Sequence, residues 1–554
     1  MTMIADHCEG LENSRHDVCI IGSGPAGLSL ALELRRFGLS ALVLESGGKR
    51  PEQLAQALSG ADLADPARHD DMSIAVARRF GGTSNLWGGR CLPFDPVDFR
   101  PRLGMPDWPI TLSDLTPFLP TACRLASCGE PVFEAPIPGI RADDDAFTFE
   151  SLERWSGRPR LQVSHADMLA SDPGIDIRLH ATVVDVLFTE AGAARAVVVV
   201  RPSGERMTVP VSRLVLAAGG LETTRLLLSL QRRRPALFGG PDGPLGRHYM
   251  GHVIGEIADI TFASDALDAA FAFERDREGW YVRRRFVPSP ALQAEHGLLN
   301  VAFWPVIPRM ADAAHRDPLL SLTFLALSFD PVGRALLPEA LRLRHVPRSV
   351  ARWPHLRNVC RNLPGALGAG ARVAWQRYGA ATRLPGLFVR NSGRRYGLSY
   401  HSEQSPWAES RVRLDDRTDA AGLPRLHIDY RVHENDARSI VRSHELLAGW
   451  LARTGFGHLE YRQPAERNVE AVMRLFGHGT HQIGTARMAD RPGRGVVDRN
   501  LRAFDAPNLY VASAAVLPRS GQASPTLTVI TLAVRLAHHI AAEKARIEVL
   551  QSAA

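Results

Sequence analysis

The stretch Val18-Cys19-Ile20-Ile21, followed at once by Gly22-Ser23-Gly24-Pro25-Ala26-Gly27, constrains this chain more than any other. Four apolar residues in a row read as a buried parallel strand. The glycines then follow the pattern G-x-G-x-x-G. Gly22 permits a tight turn, Gly24 lets a pyrophosphate approach the backbone, and Gly27 allows close packing of helix on strand. Leu28, Leu30, Ala31, Leu32 and Leu34 continue as an apolar helix whose N-terminus attracts phosphates. A second strand, Ala41-Leu42-Val43-Leu44, ends at Glu45, roughly 20 residues on, where an acid accepts hydrogen bonds from an adenosine ribose. A lone glycine motif is weak. Strand, helix and acid together predict a bound dinucleotide, and the acid argues against a 2′-phosphate.

Composition leaves room for this and excludes other classes. At 554 residues and 45% hydrophobic, the chain buries a large core and holds more than one domain. No stretch of about 18 uncharged apolar residues suggests a spanning helix. Met1 to Arg15 is polar and mixed in charge, resembling neither a secretory nor a twin-arginine signal. The six cysteines (Cys8, Cys19, Cys91, Cys123, Cys128, Cys360) are scattered and form no C-x-x-C pair, which argues against a disulfide framework, a zinc site or an iron–sulfur cluster. The expected compartment is a reduced cytosol. The formal charge of +7 does not point to nucleic acid, because the basic residues are nearly all arginine and no basic motif is interleaved with aromatics.

Further blocks build on the first. Phe80-Gly81-Gly82-Thr83-Ser84-Asn85-Leu86-Trp87-Gly88-Gly89-Arg90 is a glycine-dense loop whose amides can approach a flat ring or phosphates. Ile175–Leu179 and Thr182–Phe188 read as strands, with a hairpin through Ala191-Gly192. Arg213 to Gly220 reads as a buried strand ending in two glycines, and Leu221 to Leu230 as the helix after it. Near the C-terminus, His481-Gln482-Ile483-Gly484-Thr485-Ala486-Arg487-Met488 precedes Val496-Val497-Asp498, a last buried strand within Asn508–Ala514, and a helix from Thr526 to His539 with Pro525 at its first position.

The glycine turn with Glu45, the loop 81–89, the segment 216–228 and the block 481–533 together resemble the glucose–methanol–choline (GMC) oxidoreductases, a family of FAD enzymes. The G-G-x-S-x-x-W loop is most similar to bacterial members and pyranose oxidases. The resemblance implies an α/β fold, with a discontinuous Rossmann-like FAD-binding domain and an α+β substrate-binding cap built on an antiparallel sheet. The expected division is 14–110, 175–254 and 471–545 for the FAD domain, 111–174 for a cap-associated linker, and 255–470 for the cap. Only short pieces of the cap match, such as Glu403-Gln404-Ser405-Pro406 and Ser410-Arg411-Val412-Arg413-Leu414. The family pattern puts FAD contacts at Gly22, Gly24, Pro25, Ala26, Gly27 and Glu45. It adds Gly82, Thr83, Asn85, Trp87 and Gly88 in the loop, then Val183 and Ala218, and finally Ser513, Ala514 and Thr526. Ser513 stands where relatives often have Asp. Leu86 occupies a slot where a histidine can carry covalent flavin, so the FAD here is expected to be non-covalent.

The same resemblance implies that His481, first residue of H-x-x-G-T, is catalytic. First principles agree, since oxidising an alcohol removes its hydroxyl proton as a hydride leaves for flavin N5. A group titrating near neutrality is the best acceptor for that proton. The family's second polar residue, His or Asn, falls at Ser524, which offers one hydrogen bond but no base. His478 reads as a supporting residue. The i, i+3 pair His478 and His481 lacks a nearby third ligand, so no metal is expected. Two other readings stay open: lyase or isomerase chemistry in the same pocket without net redox, and a flavin-binding protein without activity.

One stretch stands outside the resemblance. Residues 331–390 carry eleven arginines against one acid, Glu339, a surplus of 11 − 1 = +10. Apolar residues with Trp353 and Trp375 are interspersed among them. Such a segment suits either an anionic membrane surface or a solvated helical insertion on the cap. The expected partners are a small alcohol (a sugar, or a hydrophobic or lipid-linked alcohol), with oxygen or a quinone or carrier as electron acceptor. The expected place is the cytoplasm, with peripheral contact at the inner membrane face.

Overall fold

A computed structural model of the chain describes residues 4–102, 104–346, 351–380, 382–391, 393–477 and 479–552. Its nucleotide half is a six-stranded parallel sheet in the order Ile4–Ala5, Ile175–Arg178, Ala41–Leu44, Val18–Ile21, Leu214–Leu216, Leu509–Val511. The three central strands are buried along their whole length, as an all-apolar run requires when helices cover both faces. Chain order and spatial order differ sharply here, so strands from three distant stretches meet at the glycine turn. The helix Pro25–Arg36 packs against the C-terminal helix Thr526–Ser552. The fold is thus the expected Rossmann-like α/β domain. A three-stranded antiparallel sheet, Thr182–Phe188, Ala194–Val200 and Arg206–Pro210, lies beside it, and the hairpin turns at Gly192 as the sequence suggested.

The C-terminal helix departs from its expected bounds. It begins at Thr526, with Pro525 just outside as the carbonyl that accepts the Val529 N–H, and it runs on to Ser552. Its extra turns are tied down by side chains: Tyr510 donates to Glu543 at 2.8 Å, and Lys544 meets Asp17 at 2.7 Å. Tyr510 lies on the edge strand of the parallel sheet and Asp17 just before the central strand Val18–Ile21, and both are invisible to local periodicity.

The second half is built on one antiparallel sheet. Its strands run Gly457–Tyr461, Val253–Phe262, Arg395–Ser402, Val301–Val306, Tyr281–Pro288, Phe147–Trp155 and Arg90–Cys91, with Glu274–Arg275 paired to Tyr281–Pro288. Two of these strands come from stretches that the sequence placed in the first FAD segment and in the linker. Arg90–Cys91 follows directly on the glycine loop, so the chain enters the cap sheet long before residue 255. Strand periodicity divides the sheet's faces. Phe286, Phe303 and Tyr400 stand in register on the back face, against the helix Glu434–Thr454, whose Trp450 is fully buried among Phe147, Phe149, Phe286 and Phe456. Arg283, Arg285, Trp304 and His401 hold the alternate positions, on the front face.

The basic stretch forms helices, among them Trp353–Arg361 and Leu363–Ala374, that pack on the preceding helix Pro318–Ser328, which contributes to a small core of Met310, Leu320, Phe324 and Leu327. No single helix among the described residues is long and apolar enough to cross a membrane; the bent pair Pro318–Ser328 and Asp330–Leu336 meets that measure only jointly.

A fourth sheet of Arg411–Thr418, Pro424–Asp429 and Ala61–Leu63 joins the two halves. Arg225, on the nucleotide-domain helix Gly220–Arg233, anchors it. The guanidinium is buried and donates to Asp419 at 2.7 Å and to the carbonyls of Pro424, Leu58 and Leu423 at 2.6, 2.7 and 3.0 Å. Replacing Arg225 by alanine strands a buried carboxylate and three carbonyls. The variant is expected to lose about 3–5 kcal/mol of stability in denaturant unfolding, and a loss below about 1 kcal/mol would refute that role.

Candidate active site

The glycine turn forms a cradle. A Cβ on Gly27 would collide with the carbonyl oxygen of Gly22, and one on Gly22 would lie 2.7 Å from Ala217 O and 2.8 Å from Ala218 Cα. A Cβ on Gly24 would meet open space. The turn is thus packed shut on its protein side and open at the residue where a pyrophosphate would lie, facing a helix whose first-turn N–H groups lack intrahelical partners. Glu45 lies at the end of its strand, buried, with its carboxylate against that turn. It accepts from Ser23 N–H at 3.1 Å, Ser23 Oγ at 2.6 Å and Gly47 N–H at 3.0 Å. Val183 lies close by, since Ala181 N–H donates to Glu45 O at 2.8 Å and Thr182 Oγ1 meets Ser46 Oγ at 2.9 Å.

The glycine loop bridges the two halves. Gly82 backs onto Gly24, where an added Cβ would lie 2.8 Å from Gly24 Cα. Thr83 Oγ1 accepts from Ala77 N–H at 3.3 Å, and the Asn85 amide donates to the carbonyls of Phe80 and Gly82 at 3.0 and 2.8 Å. Trp87 donates to Pro159 O at 2.5 Å, and the space at Gly88 opens towards the Trp155 ring of the cap sheet. Asn85 and Trp87 therefore shape the loop with their side chains, leaving its backbone to face a ligand. At the other end, Ser513 Oγ caps the turn Ala514–Val516, and Ala514 O accepts Gly484 N–H at 3.3 Å. Thr526 opens the C-terminal helix, and one turn in, Thr528 Oγ1 is buried with no hydrogen-bond partner. An orphaned hydroxyl at a helix start, an open Gly24 and a loop with its backbone forward fit an FAD laid from the glycine turn to the C-terminal helix.

The H-x-x-G-T motif is held by its own side chains. Gln482 Oε1 accepts from Leu221 N–H at 3.0 Å, capping the helix Gly220–Arg233, while its Nε2 donates to Gly479 O at 3.0 Å. Thr485 meets Thr224 at 2.7 Å. Gly484 has φ 90°, which a side chain rarely adopts, and lies against His248 O. Ile483 pairs antiparallel with Met250 through both backbone hydrogen bonds, at 2.9 and 3.0 Å. In that register the residue opposite His481 is His252. Their Nδ1 atoms are 2.8 Å apart. His401 stacks on His252 with ring centres 4.2 Å apart, and its Nδ1 meets Gln522 O. His252 Nε2 meets Ser520 O at 3.1 Å.

Ser524 is buried two residues beyond Gln522, at the entrance to the C-terminal helix. The side chain found facing His481 is thus an imidazole from the cap, which no motif announced. His478 lies outside the described residues. The Glu403-Gln404-Ser405-Pro406 segment supplies the brace. Arg102 clamps Glu403 at 2.6 and 2.7 Å, and Gln404 accepts from Gly251 N–H and Tyr430 OH, each at 2.7 Å. Gln404 N–H also donates to Ser520 Oγ at 2.9 Å. One buried glutamine thereby ties the residue before His252 to the loop that receives its ring.

Arginine dominates the front face of the cap sheet. Glu153 is buried between Arg90 and Arg283, both bonded to it. Burial would raise its carboxyl, but the two guanidiniums outweigh that and hold it below the usual range. Burial lowers Arg285 to about 10; it donates to Gln522 Oε1 at 2.8 Å and to Ser151 Oγ at 2.6 Å. Arg90 Nη2, Arg285 Nε and Trp155 Nε1 are buried donors without a partner. Burial pushes His252 and His401 well below the usual histidine range, and neighbouring imidazoles and Arg90 push the same way. Both rings are neutral at physiological pH. The nitrogens of His252, His401 and His481 lie within 4.8 Å of one another, supplying the additional imidazoles that the sequence did not reveal. The Arg90 field, however, opposes a dication there.

Residues 406–533 match the family model of the GMC oxidoreductases and residues 15–58 that of an FAD-binding domain. The chain is 22% identical to 2-methyl-1,2-propanediol dehydrogenase of Mycolicibacterium austroafricanum, over 95% of each chain. It is 25% identical to 6'''-hydroxyparomomycin C oxidase of Streptomyces lividus, over 97% of this chain and 95% of that one. Formate oxidase of Aspergillus oryzae shares the fold, with a TM-score of 0.53 at 14% identity over 96% of this chain and 99% of that one. Residues 406–533 are thus similar to GMC oxidoreductases and residues 15–58 to an FAD-binding domain, and the chain is an FAD-dependent alcohol oxidoreductase.

Proposed function

We propose that the protein oxidises the CH–OH group of a small alcohol, a sugar or diol or a more hydrophobic alcohol, with His481 as the base. The observation that carries this is the convergence of His481, the neutral His252–His401 pair and the orphaned donors of the cap sheet on the side of the domain where the FAD cradle ends. Bound FAD, held by the Gly22–Gly27 turn, the loop 82–88 and the start of the C-terminal helix, supplies the two-electron acceptor. His481 takes the hydroxyl proton. Ser524 offers a single hydrogen bond to a substrate oxygen, and Arg90, Arg285 and Trp155 offer N–H donors to an oxygen-rich substrate. Leu86 lacks a nucleophile, so the flavin is held non-covalently.

The basic insertion supports a location at an inner membrane surface. Trp353, Trp375, Phe329 and Tyr378 are 76%, 68%, 60% and 59% exposed. The two acids of residues 330–390, Asp330 and Glu339, are engaged by Arg334 and Arg342, and most of the described arginines there pair with neither of them. Exposed aromatics with surplus guanidinium suit an anionic lipid surface, and the cysteines, all free thiols, suit a reducing cytosol. The acceptor is then oxygen or a carrier within reach of that surface.

Anaerobic mixing of the holoenzyme with D-glucose, benzyl alcohol and propylene glycol should bleach the flavin with at least one of them. His481→Ala should slow that bleaching about 10²–10⁴-fold with flavin content unchanged, whereas equal rates exclude His481 as the base. Acid precipitation should leave all yellow colour in the supernatant; colour in the pellet means a covalent flavin. The protein should co-sediment with phosphatidylglycerol vesicles and be released by salt, and failure to bind at low ionic strength ends the membrane reading.

A further inference from the structure

The hydrogen-bond pattern around His252 dictates which nitrogen of His481 can act. Ser520 O is a carbonyl and only accepts, so the contact at 3.1 Å requires the proton of His252 to sit on Nε2. His252 is fully buried in the field of Arg90, faces His401 and His481, and is neutral. A neutral ring with its proton on Nε2 has a bare lone pair on Nδ1. The atom 2.8 Å from that lone pair is His481 Nδ1, which must therefore be the donor. With Nδ1 protonated, neutral His481 carries its basic lone pair on Nε2. His401 fixes the plane of His252 by stacking at 4.2 Å, and its own Nδ1–H is committed to Gln522 O.

We infer that His252 is a positioning residue that locks His481 in the Nδ1–H form, leaving Nε2 as the base, and that it accepts the hydrogen bond of the imidazolium formed on proton transfer. This rests on His481 as the base. In that step the substrate O–H bond breaks to form Nε2–H, and the carbinol hydride leaves to oxidised FAD as the carbonyl forms. His481 then carries a positive charge in a buried site already crowded by Arg90. Among the described residues no carboxylate is bonded to His252 to share it. The lone pair of His252 is what the chain supplies instead, a neutral counterpart of the carboxylate that orients histidine in acyl-transfer triads. The need for a neutral partner explains why burial and a nearby guanidinium surround His252 in place of an acid.

The direct test is ¹⁵N-histidine NMR of the oxidised holoenzyme, with His481 assigned by difference from His481→Asn. A pyrrole-type Nδ1 and a pyridine-type Nε2 are expected; the reverse overturns the inference whatever the variants do. His252→Phe keeps the volume and removes the acceptor, while His252→Asn places Oδ1 near the lost Nδ1. With the panel alcohol that bleaches the wild-type flavin fastest, His252→Phe should slow reduction about 10- to 100-fold. Losing the acceptor destabilises the imidazolium, so the acid limb of its pH profile should move to lower pH. His252→Asn should recover much of both. A uniform loss in both variants with an unmoved profile means that His252 only packs, and stoichiometric zinc in the holoenzyme means that the three nitrogens face a metal; either result overturns the inference. If His481→Ala retains full flavin reduction, the base assignment itself fails, a distinct result.

Discussion

A single antiparallel bridge, Met250 to Ile483, fixes the geometry of the proposed catalytic site. Its two backbone hydrogen bonds contribute modestly to stability, of the order of 1 kcal/mol each. Their consequence is positional. They join the start of the cap sheet to the H-x-x-G-T motif in one register, and that register sets His252 across from His481. A slip by one residue would turn both imidazoles to opposite faces. The bridge is correspondingly braced, by Gln482 and Thr485 on the nucleotide side and by Gln404 and the Arg102–Glu403 pair on the cap side.

The cap sheet follows from the same period-2 logic. One face is aromatic and packs on the helix Glu434–Thr454; the other carries guanidiniums, indoles and histidine towards the site. Burying arginine is costly unless its donors are met. Glu153 accepts from three of them, on Arg90 and Arg283, and these two guanidiniums also lie over the Trp304 ring at 4.2 and 5.0 Å. The donors left over are the ones a ligand can use. Alcohol chemistry and the two neutral histidines suit this setting, because a buried face already rich in cations tolerates added imidazole only in its uncharged form.

Much of the nucleotide half was legible because its signals are contiguous. A glycine turn, the strand before it and the helix after it lie within twenty residues, and each was read from local pattern. The cap resisted for the opposite reason. Its strand 147–155 pairs with 90–91 on one side and with 281–288 on the other, and its buried His252 and His401 sit in stretches where nothing nearby calls for a histidine. A polar ring within an otherwise apolar alternation, as in Tyr396 to Ser402, was the one available signal. Glu45 shows a subtler limit: its position was readable, but its engagement with Ser23 and Gly47 was not.

By itself, then, the amino-acid order pointed to the dinucleotide cradle, the GMC resemblance and His481 as the proposed base, since each rests on residue types at short, fixed spacing. Tertiary structure alone decided the histidine that faces His481, the arginine-rich face of the cap sheet and the entry of residues 90–91 and 147–155 into that sheet. Those features depend on pairing between segments hundreds of residues apart, and backbone hydrogen bonds between strands carry no signature in the side chains that they bring together.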